Sequence, residues 1–174
     1  MDFFYDQALF APNHYYKIEK FNFAETNDKM KINLKNGIDK LLFGMKQNDV
    51  IVLYGKPNKQ YKDDDENVVF LYNEQKLRLT FYMEEDFKLG YIIGSDADLQ
   101  VLDTKVIGRK IADVKKDLAS KGLTKWAEEE FDTFENSFDE GNWIILQSEF
   151  GEVVKVEVGA IINDKDEFDW KFKK

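Results

Sequence analysis

Hydrophobic side chains recur with helical spacing in two short segments of the chain. Ile111, Val114 and Leu118 lie three and four residues apart, which places them on one face of a helix. Val50 and Tyr54 repeat the four-residue spacing in an earlier segment. Both segments are followed by residues that commonly end helices, namely Gly55 and Pro57 in the first case and Gly122 in the second. The pattern predicts two short amphipathic helices.

Each predicted helix is followed by three runs in which β-branched and aromatic residues dominate. Polar or glycine-containing turns separate these runs, which is typical of β-strands. Leu77, Leu79 and Phe81 alternate with more polar residues, as expected for a strand with one buried and one solvated face. The six predicted strands are 68–72, 77–82 and 89–93, then 131–138, 143–148 and 153–158. Since a one-residue shift exchanges the two faces, the pattern leaves open whether the rings of some aromatics lie in the core or are exposed: Tyr72, Tyr82 and Trp143.

The two helix starts also resemble each other in sequence. Segments 38–50 and 102–114 align without gaps when Gly44 is placed on Gly108, an offset of 64 residues. Five aligned pairs are identical: Asp39 and Asp103, Gly44 and Gly108, Lys46 and Lys110, Asp49 and Asp113, and Val50 and Val114. We interpret this as an internal repeat, with chance similarity between two helix starts as the alternative.

These patterns together predict an α+β fold made of two tandem repeats. Each repeat is a helix followed by a three-stranded antiparallel meander, and the two meanders form one sheet with both helices on one face. The predicted organisation is an N-terminal extension (1–35) with strand-like segments at 15–23 and 31–34, repeat 1 (36–98), and repeat 2 with a C-terminal tail (99–174). Phe168, Trp170 and Phe172 alternate in the tail, which fits either an edge strand or a frayed end.

The first repeat carries a recognisable helix unit. It begins with Gly-Met-Lys-x-x-Asp-Val at Gly44, ends with Leu-Tyr-Gly-Lys-Pro at Pro57, and precedes a meander. This unit resembles that of the beta-lactamase-inhibitor-protein-like family, which is related to small outer-membrane assembly lipoproteins. The tandem arrangement over 32–160 resembles that of the two-repeat inhibitor proteins. Bacterial toxin-immunity proteins include acidic members that resemble this arrangement. The resemblance implies a curved sheet that faces a protein partner, but no family motif assigns binding residues here.

The amino-acid composition excludes several kinds of functional site. The 174 residues include no cysteine, which excludes disulfides, thiolate metal sites, cysteine nucleophiles and lipidation through cysteine. The single histidine, His14, excludes multi-histidine metal sites. A net charge of −9 makes the chain a poor generic partner for nucleic acid and favours a basic protein partner. No nucleophile elbow, phosphate-binding loop or dinucleotide fingerprint is present, so we expect no catalytic residues, no metal and no cofactor.

Acidic and aromatic residues interleave in segment 126–140, which contains seven acids and neither lysine nor arginine. A smaller counterpart occupies 61–66. We expect both to connect a helix to a strand on one edge of the sheet and to form a single negative surface that attracts a cationic protein. The alternative is a pair of solvated loops that protect an edge strand. The candidate partner-binding residues are Asp63, Asp64, Asp65, Glu66, Trp126, Glu128, Glu129, Glu130, Asp132 and Glu135.

The resulting hypothesis is a protein-binding inhibitor, specifically an immunity protein that neutralises a cognate basic bacterial toxin such as a nuclease. An envelope-assembly or other protein-interaction module without a toxin partner is the alternative, and an enzyme ranks last. The N-terminal residues have no basic region and no long apolar stretch, and the longest apolar runs are too short to span a bilayer. We therefore expect a cytoplasmic location with neither a membrane nor a nucleic-acid partner.

Overall fold

The computed structural model describes residues 30–173, so His14 and the strand-like segment 15–23 lie outside the described residues. Within that range the chain forms two helices, α1 (Gln47–Tyr54) and α2 (Ile111–Ala119). The strands of the first half are β1 (Lys31–Asn33), β2 (Gly37–Ile38), β3 (Leu41–Leu42), β4 (Lys59–Lys62), β5 (Val68–Tyr72), β6 (Leu77–Tyr82) and β7 (Lys88–Gly94). Those of the second half are β8 (Gln100–Val101), β9 (Thr104–Lys105), β10 (Ala127–Glu130), β11 (Glu135–Asp139), β12 (Ile144–Glu149) and β13 (Glu152–Gly159).

The longer strands form one eight-stranded antiparallel sheet in the order β10-β11-β12-β13-β7-β6-β5-β4. Strands β7 and β13, the last of their halves, pair at its centre, so β4 and β10 are its two edges. The very short strands form a second sheet in the order β3-β2-β1-β8-β9, in which β1 and β8 run parallel.

The hydrophobic core lies on one face of the large sheet. Buried side chains of this inner face include Phe70, Leu79 and Ile92, which are cross-strand neighbours on β5, β6 and β7. Both helices and the small sheet contribute to the same cluster, through Val50, Val114, Leu118, Ile32, Ile38, Leu41 and Val101. The helices and the small sheet therefore form the layer that covers the inner face.

Each helix start is fastened to the last strand of its own half by the same pair of backbone hydrogen bonds. In the first half the N–H of Gly44 donates to the carbonyl of Leu89, and the N–H of Leu89 donates to the carbonyl of Met45. In the second half the corresponding bonds join Gly108, Val153 and Arg109, with every residue number raised by 64. These bonds hold the segment before each helix beside the large sheet.

The predicted fold class is wrong in two respects. Each helix is followed by four strands rather than three, because the segments expected to be connections contain β4 and β10. A second, five-stranded sheet was also not predicted. Two-residue strands are too short to show an alternating pattern. Strands β4 and β10 contain mainly Lys, Gln and Glu, and they form because their backbones pair with β5 and β11.

The C-terminal tail neither joins the sheet as an edge strand nor frays. Its backbone is held at the carbonyl of Phe43, which accepts hydrogen bonds from the N–H groups of Lys171 and Phe172. The Phe168 ring stacks on Trp170 with a centroid distance of 4.8 Å and lies 5.6 Å from the ring of Tyr82. The aromatic residues of the tail thus pack against the core cluster.

Candidate protein-binding face

The face of the large sheet opposite the core carries a continuous row of side chains. Successive cross-strand partners run through all eight strands in the order Lys59, Leu71, Arg78, Ile93, Glu157, Ile145, Phe138 and Ala127. The six inner members are half-buried, and the apolar ones lie outside the core cluster. We call this surface the open face. It combines apolar side chains with charged groups near its centre.

Three charged side chains occupy the middle of the open face. The Lys155 ammonium and a Glu157 carboxylate oxygen are 3.1 Å apart, and only 12% of the Glu157 side chain is exposed. Burial raises the pKa of the Glu157 carboxyl, and the positive charge of Arg78 opposes that rise. Burial lowers the pKa of Lys155, Arg78 lowers it further, and Glu149 opposes both. Among the described residues, the buried Nε of Arg78 has no hydrogen-bond acceptor.

Aromatic rings cover two glycines on this face. A Cβ atom at Gly159 would lie 2.6 Å from Cε3 of Trp143, and one at Gly90 would lie 2.1 Å from Cε2 of Tyr82. Burial raises the pKa of Tyr82 to about 12. Trp143 and Tyr82 are thus half-buried on the open face, whereas the third aromatic left unassigned, Tyr72, is buried in the core.

Strand β10 gives one edge of the sheet a strongly acidic character. All four of its residues are exposed. Glu130 lies directly opposite Glu135 of β11, a like-charge pair that disfavours strand pairing. Glu128 is held by Lys115 of α2 and by the Ser137 hydroxyl, 2.8 Å away, and these hydrogen bonds lower its carboxyl pKa although burial acts in the opposite direction.

The remaining candidates of this segment lie on either side of β10, with Trp126 before the strand and Asp132 in the turn after it. The N–H of Phe131 donates to the carbonyl of Phe134, and the two rings stack at 4.4 Å. Asp132 is exposed in this turn. Because residues 131–134 form the turn, the strand predicted at 131–138 begins only at Glu135. Trp126 packs partly buried against the core, which makes it a support for β10 rather than an exposed anchor.

The second acidic segment lies at the other edge of the sheet. Asp63 to Glu66 form the turn between β4 and β5, and seven inter-strand steps separate β4 from β10, roughly 34 Å along the sheet. The expectation that both segments share one edge is therefore wrong. The Asp63 carboxylate accepts hydrogen bonds from the N–H groups of Asp65 and Asn67, so it stabilises the turn. Glu66 pairs with Lys62.

Sequence reasoning missed the half-buried residues of the open face, above all Arg78, Lys155 and Glu157. Lys155 and Glu157 occupy the polar positions of an alternating strand, which is a signal that could have found them. Their position beside Ile93 and Ile145 follows only from the strand order, which no local pattern contains.

The described residues also limit what the site can hold. Within 30–173, no group of three or more acidic or histidine side chains is arranged to bind a metal ion. No helix in the same range is long and apolar enough to cross a membrane.

Comparison with known proteins gives only distant structural likenesses. No family model matches the chain, and no curated protein matches it. An extracellular SCP-domain protein of Bacillus anthracis str. Ames shares 13% identity over 75% of this chain and 49% of its own, with a TM-score of 0.43. A cysteine-rich secretory protein of Staphylococcus aureus subsp. aureus Mu50 shares 13% identity over 66% of this chain and 43% of its own, with a TM-score of 0.41. The chain thus spans less than half the length of either protein.

A third solved structure is a DUF4309 family protein of Bacillus subtilis subsp. subtilis str. 168. It shares 14% identity over 67% of this chain and 78% of its own, with a TM-score of 0.44. At these identities and TM-scores, none of the three structures assigns a fold family or a function to this chain.

Proposed function

We propose that this chain is a protein-binding inhibitor, an immunity protein that neutralises a cognate basic bacterial toxin. The toxin docks on the open face, and the acidic β10 edge attracts it. The chain contributes no catalytic residue, metal or cofactor, and it acts in the cytoplasm, where a toxin such as a nuclease would meet its substrate.

The observation that carries this proposal is the composition of the open face. Apolar side chains such as Ile93 and Ile145 flank the partly desolvated Arg78 and Glu157. Arginine and aromatic residues surrounded by apolar area are typical of binding hot spots. Arg78 is half-buried, its buried Nε has no acceptor among the described residues, and a partner carboxylate would pair with the charge of its guanidinium.

The charge on β10 supports the basic character of the partner. Glu130 of β10 repels Glu135 directly opposite on β11, so this like-charge pair weakens the hairpin in isolation. A cationic partner would relieve that repulsion and would associate faster through long-range attraction.

Growth rescue tests the proposal directly. Each reading frame next to the gene for this chain is expressed in a bacterial host, with and without the chain. We expect one frame to arrest growth and the chain to restore it, and the purified pair to bind more weakly as salt is raised. Toxicity that the chain never relieves would contradict the proposal. If a neighbouring frame encodes a non-toxic protein that binds the open face, the result would instead favour a protein-interaction module without a toxin partner.

A further inference from the structure

We propose that a cleft beside β10 on the open face holds the side chain of a lysine or arginine of the protein partner. The cleft has a volume of about 310 Å³ and is lined by Ala127, Glu128, Glu129, Asn136, Phe138 and Ile145. Pockets for whole small-molecule ligands start at about this size, so the cleft suits one long side chain better than a ligand. This inference rests on the proposed function and specifies which group of the partner enters the face.

The polar groups of the cleft include hydrogen-bond acceptors that have no donor among the described residues. The carboxylate of Glu129 forms no ion pair or hydrogen bond with any group in the described range. Within that range, the buried Oδ1 of Asn136 also lacks a donor. Glu129 and Asn136 are cross-strand partners with Cβ atoms about 5 Å apart, so both side chains border the same part of the cleft. Glu128 differs from them because Lys115 and Ser137 already occupy its carboxylate.

The other walls of the cleft are apolar. Ala127, Phe138 and Ile145 are consecutive members of the cross-sheet row, so they form one strip beside Glu129 and Asn136. A lysine or arginine side chain matches this arrangement, since it has an apolar stem and a charged head that only donates hydrogen bonds. A carboxylate would meet the charge of Glu129, and an aliphatic side chain would leave the acceptors unpaired.

A titration monitored by NMR tests the cleft with a defined probe. N-acetyl-lysine methylamide and its arginine counterpart are added to the chain, and N-acetyl-norleucine methylamide provides the same stem without the charge. We expect saturable shifts at the Asn136 side-chain amide and at the backbone amides of Ala127, Phe138 and Ile145 with the cationic probes only. Equal shifts with the norleucine probe, or no saturable shift, would overturn the inference.

Three variants separate the cleft from general attraction to acids. Glu129→Gln should weaken binding of the lysine probe about fivefold or more, because it removes the charged acceptor. Glu130→Gln removes the same charge from the next residue, which does not line the cleft, and should weaken binding less than about twofold. Ala127→Leu keeps every charge but fills the cleft, and it should abolish the shifts. Equal effects of the two glutamine variants, or undiminished binding by the leucine variant, would contradict the inference.

Failure of the inference and failure of the proposed function are distinguishable. If a toxin is neutralised and Glu129→Gln binds it as tightly as the original chain, the cleft is not the anchor although the function stands. If the cleft binds the lysine probe but no toxin is neutralised, the cleft is real and the function is wrong.

Discussion

At the scale of single residues, the open face depends on close contact between aromatic rings and glycine backbone. The Trp143 ring lies where a side chain at Gly159 would have to be, and it also contacts Phe138 and Tyr91 at centroid distances of 5.6 and 5.4 Å. Gly159 therefore sets the position of a large ring next to the cross-sheet row.

Gly159→Ala should displace this ring. The new methyl group would overlap Trp143, and we expect a loss of about 1–3 kcal/mol in the free energy of unfolding, measured by urea denaturation. Gly141→Ala is the control, since a Cβ there would meet only Asp139 Oδ1 at an ordinary 3.6 Å. Unchanged stability and unchanged tryptophan fluorescence in the Gly159 variant would contradict the described packing.

Glu157 gives a prediction on pH dependence. Burial raises its carboxyl pKa above the ordinary 4.5, so the unfolded chain loses this proton at lower pH than the folded chain does. The contribution of Glu157 to stability therefore falls as pH rises through 4.5 towards the raised value. Glu157→Gln cannot ionise, and its stability relative to the original chain should increase over that interval.

Urea denaturation between pH 3.5 and 7 measures this difference, which we expect to stay within about 1 kcal/mol because the positive charges of Arg78 and Lys155 oppose it. Glu152→Gln removes an exposed carboxyl from the same strand and controls for net charge. A variant whose relative stability falls with rising pH would show that the ion pair outweighs the burial of Glu157.

At the scale of elements, the aromatic residues of the tail hold the C-terminal segment to the start of repeat 1. Trp170 stacks on Phe168, lies against Gly44, and has the Lys88 ammonium 5.2 Å from its ring centroid. The same segment lines a cleft with a volume of about 660 Å³. The tail thus acts as a structural element without forming a strand.

Trp170→Ala should release this segment. Because the ring is half-buried, we expect a loss of about 2 kcal/mol, below the range for a fully buried tryptophan. Hydrogen exchange at the amides of Lys171 and Phe172, which donate to the carbonyl of Phe43, should accelerate. Ile162→Ala changes a side chain that is 52% exposed in the same segment and should have little effect. Slow exchange in the tryptophan variant would mean that the backbone bonds alone hold the tail.

At the scale of the whole molecule, the two acidic segments provide a matched comparison, because they lie at opposite edges of one sheet. Removing two charges at either edge changes the net charge equally. Only the position of the removed charges differs.

We expect Glu129→Gln with Glu130→Gln to slow association with the toxin about tenfold at low salt, since charges near the contact dominate steering. Asp64→Asn with Asp65→Asn should change the rate less than about twofold, because both residues are exposed in the β4–β5 turn at the far edge. Stopped-flow or surface-based kinetics at two ionic strengths measure both effects. Equal slowing by the two pairs would place the attraction in the net charge rather than in the β10 edge.

Local patterns predicted some elements closely. The predicted strands 68–72 and 77–82 are confirmed as β5 and β6. Strand β5 is a continuous run of apolar β-branched and aromatic residues, and in β6 alternating side chains place one face in the core. The same reasoning failed for β10, whose sequence Ala-Glu-Glu-Glu has low strand propensity. Strand β10 forms because its backbone pairs with β11 across the turn at 131–134, and this pairing overrides the low propensity.

Local sequence patterns were enough to establish the two helices, the acidic character of segment 126–140 and the burial of alternating residues such as Leu77 and Leu79, since each depends on residues close together in the chain. The arrangement of the strands in space, in contrast, places the two acidic segments at opposite edges and brings Arg78 and Glu157 beside Ile93 on one face. Strand order sets both of these arrangements. It joins residues far apart in the sequence through backbone hydrogen bonds, which depend little on the identity of the side chains.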